Sequence, residues 1–331
     1  MWSRLVDSTA PPERLAAFRV CVGVFTVVYL ALRFPVFWSL ADKAPDSFAG
    51  VGPLAWADDP LPDVVVRGAL LVALASGIAA TVGFRFRIAG PVLAAAVLLL
   101  TAYRSSWGQL LHFENLVVLH LLLLAVSPAA DAWSLDARRT GGRRRDPTTY
   151  GLVMQLACLC VATTYVIAGI AKLRLGGFEW ALGDTLRNHI AYSAVRLDLL
   201  GGAGSPLAGV IVRNAWILPP MAALSVVIEL AAPVALIGPR LRNIWVAAAW
   251  SMHLAIFATM LVGFPYPLFL VAFTPFFALE RALPRWSVHD ASPTSEREVG
   301  IAESCEHGPA TRPRSQPDEL SGSRRRGRTR R

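Results

Sequence analysis

Of the 32 basic residues in this chain, only two are lysine, Lys43 and Lys172. Lys172 closes an apolar stretch, Val161-Ala-Thr-Thr-Tyr-Val-Ile-Ala-Gly-Ile-Ala-Lys172-Leu173, whose composition predicts a helix. A guanidinium stays protonated, whereas a desolvated ammonium can give up its proton and then act as a base. Lys172 is therefore the first candidate for chemistry. The competing reading is a lysine that buries its stem and snorkels its charge to a membrane surface. On a helix, Tyr165, Ala168 and Gly169 share its face. The two small residues predict room beside the ammonium. Tyr165 offers a hydrogen bond or a wall for a ring.

Three further ionisable groups lie in apolar surroundings, where they are costly and mark function by default. His112 stands in Trp107-Gly-Gln-Leu-Leu-His112-Phe-Glu114-Asn115, and Asn115 shares its face on a helix. Its competing role is capping or interfacial. His253 lies in Trp250-Ser-Met-His253-Leu-Ala-Ile-Phe257, flanked by Trp250 and Phe257 at helical spacing. Its competing role is a core histidine bonded to a carbonyl. Glu229, in Glu229-Leu-Ala-Ala-Pro233, is protonated if alone, and with a partner forms an ion pair or proton relay. Its competing role is to hold helices together. His120 and Arg19 read as packing or interfacial groups.

The elements that must position these groups are membrane helices. Hydrophobic residues make up 54% of the chain and charged residues 17%, below the roughly 25% of soluble domains. The mean hydropathy is +0.48. Eight apolar runs, 15–38, 64–84, 88–104, 110–130, 150–173, 219–238, 243–262 and 264–283, approach the length that crosses a bilayer. The expected fold is an all-α polytopic bundle over 1–285, followed by a disordered, arginine-rich tail over 286–331. The basic end of that tail can meet anionic headgroups.

Arginines cluster at the N-terminus, at 85–87, 138–145 and 240–242, and in the tail, whereas aspartates fill 39–63. With eight spans, this asymmetry puts both termini in the cytoplasm and sets Lys172 and His112 near the outer face. The 174–218 connection falls outside, with the segment around Trp180–Tyr192 lying in the interface or re-entering the membrane. The net charge of +9 is loop and tail arginine that orients a membrane protein, not a nucleic-acid surface. Cys21, Cys158, Cys160 and Cys305 have no metal-site or disulfide spacing. No metal site is expected. The scarcity of lysine beside abundant alanine and arginine points to a GC-rich bacterial genome.

Tyr165-Val-Ile-Ala-Gly169-Ile-Ala-Lys172-Leu173, followed by Trp180-Ala-Leu-Gly183 and Leu186-Arg187, resembles a stretch of the vitamin K-dependent gamma-carboxylase. It equally resembles the related bacterial horizontally transferred transmembrane (HTTM) proteins. Trp133-Ser-Leu-Asp136-Ala-Arg138, Glu229 and His253 extend the match over roughly residues 12–285. The resemblance implies a membrane enzyme that uses a reduced quinone, menaquinol or vitamin K hydroquinone, for carboxylation and epoxidation. It makes Lys172 the base, with His112 and His253 as functional histidines. Tyr165, Gly169, Trp250 and Glu229 are then the residues expected to line the quinone. The His112 match departs from the family in its distance from Trp107 and in having Leu111 where asparagine is usual.

The carboxylase continues into a large lumenal domain that grips its protein substrate, whereas here the bundle leads into the tail. The expectation is thus a quinol-handling core in the cell membrane whose partners are lipid and a secreted peptide or protein. The alternative expectation is a non-catalytic accessory factor for export or maturation of such a partner. A solute transporter is disfavoured, because neither paired broken helices nor an internal repeat is visible.

Overall fold

The computed structural model describes residues 8–142, 144–182 and 184–282. The tail expected from residue 286 lies outside the described residues. Among the described residues five helices are long and apolar enough to cross a membrane. They are α1 (Pro12–Leu32), α2 (Asp63–Val82), α3 (Phe86–Ser105), α5 (Pro147–Gly176) and α10 (Pro239–Met260). Between them lie α4 (Asn115–Ala125) and four helices after α5: α6 (Glu179–Leu182), α7 (Thr185–Leu199), α8 (Pro206–Arg213) and α9 (Leu218–Leu230). The α8 segment and Ala215–Leu230 pass the same test as a pair, bent by 89°.

Local sequence explains most boundaries. Proline opens α1, α5 and α10, where its missing N–H is one the first helical turn leaves unpaired anyway. The carboxylate of Asp146 accepts the Thr148 N–H at 2.8 Å ahead of α5. Gly83 ends α2 in the left-handed region at φ 67°, which a Cβ would disfavour. The α2–α3 turn is then fastened from a distance. Asp136 accepts the backbone N–H of Arg85 at 2.9 Å and of Phe86 at 2.8 Å. Ser134 caps the short helix Leu135–Thr140 that carries this aspartate. The Trp133–Arg138 motif is therefore a clasp on that turn.

Four expected spans are built differently, and prolines account for three of them. The run 264–283 is three short pieces, Pro265–Leu268, Val271–Phe276 and Leu279–Arg281. Pro265, Pro267 and Pro275 remove the donors a continuous helix needs. Its apolar residues are nevertheless in the core, with Tyr266, Ala272 and Phe273 buried. The run 219–238 is α-helical only to Leu230 and continues as a 3-10 turn, Ala232–Leu236, across Pro233. The run 15–38 breaks at Arg33, ahead of Phe34–Trp38 with its Pro35. The run 110–130 is helical over the 11 residues of α4 alone, about 16 Å of rise against a ~30 Å hydrocarbon core. The 174–218 connection folds as α6, α7 and α8.

Polar and apolar residues are distributed as lipid requires. Leu71 is 51% exposed while Arg19 is 2% exposed, the reverse of a water-soluble domain. Arg19 donates to the carbonyls of Ala129 and Trp133, both at 2.5 Å, and of Ala132 at 3.2 Å. His120 bonds the Tyr266 hydroxyl at 2.7 Å and lies 3.3 Å from the Ala157 carbonyl. Both act as packing groups. Around them α1 packs on α2, α2 on α3, α3 on α4, α4 on α5, and α9 on α5 and α6.

Candidate functional site

Lys172 lies in the penultimate turn of α5, and Glu229 is the penultimate residue of α9. The two helices meet at Gly169. A Cβ there would sit 2.9 Å from Leu230 Cδ2 and 3.2 Å from Glu229 Cβ. The room expected beside Gly169 is thus taken by α9, and that close approach brings the carboxylate to the ammonium. Lys172 Nζ and Glu229 Oε1 are 2.5 Å apart. The ammonium also lies 5.4 Å from the centre of the Trp180 ring on α6, within cation–π range. Lys172 is therefore paired with the Glu229 carboxylate and capped by an indole, where the sequence had offered it small residues and Tyr165.

Two helical turns before Lys172, Tyr165 points into the bundle. Its hydroxyl is 2.8 Å from His253 Nε2 on α10. Trp245 stands edge-on to the tyrosine ring at 5.0 Å and donates its indole N–H to the Ile228 carbonyl at 2.9 Å. Phe264 links the two histidines, its ring centre 5.0 Å from that of His253 and 5.7 Å from that of His112. Tyr165, Glu229 and His253 are buried. Three buried atoms in this neighbourhood, Glu229 Oε2, His253 Nδ1 and Trp180 Nε1, have no hydrogen-bond partner among the described residues. Such atoms are rare in folded proteins and call for a ligand or water.

His112 lies in the connection between α3 and α4, not on α4, so it does not share a helical face with Asn115. Instead its carbonyl accepts the Asn115 N–H at 3.2 Å, making a turn. Burial, and after it the nearby charge of Lys172, hold the His112 imidazole below its ordinary pKa. The same structure thus brings Lys172, Glu229, Gly169, Tyr165, His253 and His112 into one neighbourhood. Trp250 stands apart from them in its bonding: its indole N–H donates to the Leu268 carbonyl at 3.0 Å. Phe257, the other aromatic flanking His253 in sequence, is 43% exposed.

Sequence reasoning passed over one cluster beside His112. Glu114, 2% exposed, pairs with Arg104 at 2.6 Å and accepts the Tyr29 hydroxyl. Arg104 lies over Phe37 and Phe113. The available signal was an arginine and a glutamate facing each other across a short turn containing Gly108. Trp180 is legible in sequence as part of the motif after Lys172 and of an interfacial segment, but not as the ring against the ammonium. Among the described residues no group of histidine, cysteine and carboxylate side chains could hold a metal.

A family model for the HTTM domain matches residues 8–281, from just before α1 to the last 3-10 turn. No curated protein and no solved structure matches the chain. The matched region, the apolar helices and the inward placement of the polar residues agree: the chain belongs to the HTTM domain family and is a multi-pass membrane protein.

Proposed function

We propose that this HTTM protein binds a reduced quinone beside Lys172 and uses the Lys172–Glu229 pair as its proton acceptor, in chemistry of the carboxylation and epoxidation type. One observation carries the reading. A close lysine–glutamate pair sits among three unpartnered polar atoms and two aromatic rings, Trp180 and Phe264. Those atoms fit a quinol. Glu229 Oε2 accepts from a hydroxyl, Trp180 Nε1 donates to an oxygen, and the indole and phenyl faces suit a flat ring. A bound quinol supplies an acidic aromatic hydroxyl and an electron-rich ring that molecular oxygen can oxidise.

The protein's own groups follow from their geometry. A charged Lys172 cannot take a proton. At 2.5 Å from Glu229, in a site of low dielectric, the shared proton can move to the carboxylate. Lys172 is then a free amine, a base at Nζ, and Glu229 keeps the displaced proton. The Tyr165 hydroxyl and His253 Nε2 are 2.8 Å apart; in the tautomer where the hydroxyl donates, the imidazole proton is on Nδ1, the unpartnered atom. That N–H, with His112, steadies negative charge that develops nearby. Pro147, which opens α5, is 25 residues from Lys172, about 38 Å along the helix. With the arginine-rich loops at that far end, Lys172 belongs to the outer side of the cell membrane, where a secreted peptide or protein substrate passes.

The test is anaerobic titration of the purified protein with menaquinol, then admission of oxygen and mass analysis of the quinone. Binding followed by epoxide formation that Lys172→Arg abolishes is the expected result. Absence of binding, or full turnover by Lys172→Arg, overturns the reading. A second reading, a non-catalytic accessory factor for export or maturation, draws on the same ion pair as a tie between α5 and α9. It predicts that Lys172→Met/Glu229→Met together leave maturation of the partner intact.

A further inference from the structure

A cavity of about 150 Å³ lies near the start of α5, away from Lys172. It holds about five times the ~30 Å³ share of a liquid water. Arg14, Gln155 and Arg242 supply its polar wall, and Gly238 and Pro239 bring in the N-terminus of α10. The two arginines differ. Arg14 is gripped by Glu280, with contacts from 2.8 to 3.2 Å, so its charge is compensated. Arg242 lies over the Phe277 ring at 5.6 Å. Its buried Nε has no hydrogen-bond partner, and none of the ion pairs among the described residues includes it.

The start of α10 is equally uncompensated. No side chain caps it, and no acidic residue occupies its first turn. The helix is 22 residues long, and its first-turn N–H groups carry the positive end of the helix dipole. An unpaired guanidinium and an uncapped helix start therefore meet at one cavity. Leu236 and Phe276 add apolar lining. Positive charge and hydrocarbon in one cavity suit a phosphate carrying an organic ester.

We propose that this cavity binds phosphate, as the headgroup of an anionic phospholipid or as a free phosphate compound, with the Arg242 side chain as its donor and the positive end of the α10 dipole beside it. The full-length purified protein in neutral detergent is presented with phosphatidylglycerol or diacylglycerol and examined by native mass spectrometry. In a parallel arm it is titrated with inorganic phosphate. Arg242→Gln is expected to weaken binding about tenfold, as loss of a charged hydrogen bond does, and Arg242→Lys to weaken it less. Arg240→Gln, exposed on the same turn and outside the cavity wall, is expected to change nothing. Unaltered thermal melting of each variant excludes misfolding. Binding that depends on Arg242 in the lipid arm alone identifies a headgroup site; in both arms, a site for free phosphate compounds. Equal retention of diacylglycerol, equal losses in Arg240→Gln and Arg242→Gln, or no Arg242-dependent binding in either arm overturns the proposal.

Discussion

Lys172 on α5 and Glu229 on α9 touch at 2.5 Å because Gly169, one turn before the lysine, has no side chain to hold the helices apart. Removing either partner strands the other in the bundle. Lys172→Met or Glu229→Gln is expected to destabilise the protein by about 3–5 kcal/mol. The double variant Lys172→Met/Glu229→Met should recover much of that loss while remaining inert toward menaquinol. Thermal unfolding in micelles, measured beside quinone turnover, separates the two effects. Equal instability of the double and single variants would contradict the pairing.

Gly169 is the geometric condition for that contact. Gly169→Ala puts a methyl 2.9 Å from Leu230 Cδ2 and is expected to cost about 1–3 kcal/mol through overpacking. The crowding also pushes Glu229 away from Lys172, so turnover should fall more steeply than stability. A variant as stable and as active as the parent would show that α9 yields freely at this point.

Tyr165→Phe removes the hydroxyl that meets His253 Nε2 and keeps the ring edge-on to Trp245. The expected loss of stability is about 1 kcal/mol. The larger effect is on orientation: His253 is no longer held with Nδ1 as its donor, so menaquinol turnover is expected to drop while binding persists. Comparing the dissociation constant with the turnover rate checks this, and a loss confined to binding would assign Tyr165 to the wall of the site.

The Arg104–Glu114–Tyr29 cluster predicts a purely structural phenotype. Glu114→Gln leaves Arg104 without its carboxylate, at an expected cost of about 3–5 kcal/mol. Quinone affinity of the folded fraction should stay near that of the parent. A selective loss of quinone binding without lowered melting would instead place this cluster in the site.

His112 gives the pH dependence. Its imidazole is held below the ordinary value by burial and by Lys172, so the unfolded chain binds the proton first as pH falls. Stability from this group is present above about 6.5 and is lost as pH falls through the folded value. The melting temperature should therefore decline on acidification below that point, and His112→Gln should flatten the decline. An identical pH profile in both proteins would remove His112 from the effect.

Lys172, Tyr165, Glu229 and His253 were legible in the sequence because an ionisable or hydrogen-bonding group in an apolar run stands out by its cost. Their convergence was less legible, since it depends on how closely α5 and α9 approach, and only the placement of Gly169 hinted at that. Trp250 was chosen for its spacing from His253, but spacing does not reveal that its N–H is already used by Leu268. The broken path of 264–283 was hidden for a different reason: hydropathy counts apolar residues and ignores whether the backbone between prolines can form a helix. Arg104 and Glu114 escaped notice because each sits at a helix end, where charge is ordinarily solvated.

Arg19 carries a consequence for how the protein is made. The three carbonyls that receive its guanidinium belong to Ala129, Ala132 and Trp133, residues synthesised more than a hundred positions later. An arginine in the middle of a helix facing lipid is expensive. The first helix therefore enters the bilayer with a charge whose acceptors do not yet exist. Its settled position must wait for the segment after α4 to emerge. Arg19 thus ties the settling of α1 to a stretch of chain made more than a hundred residues after it.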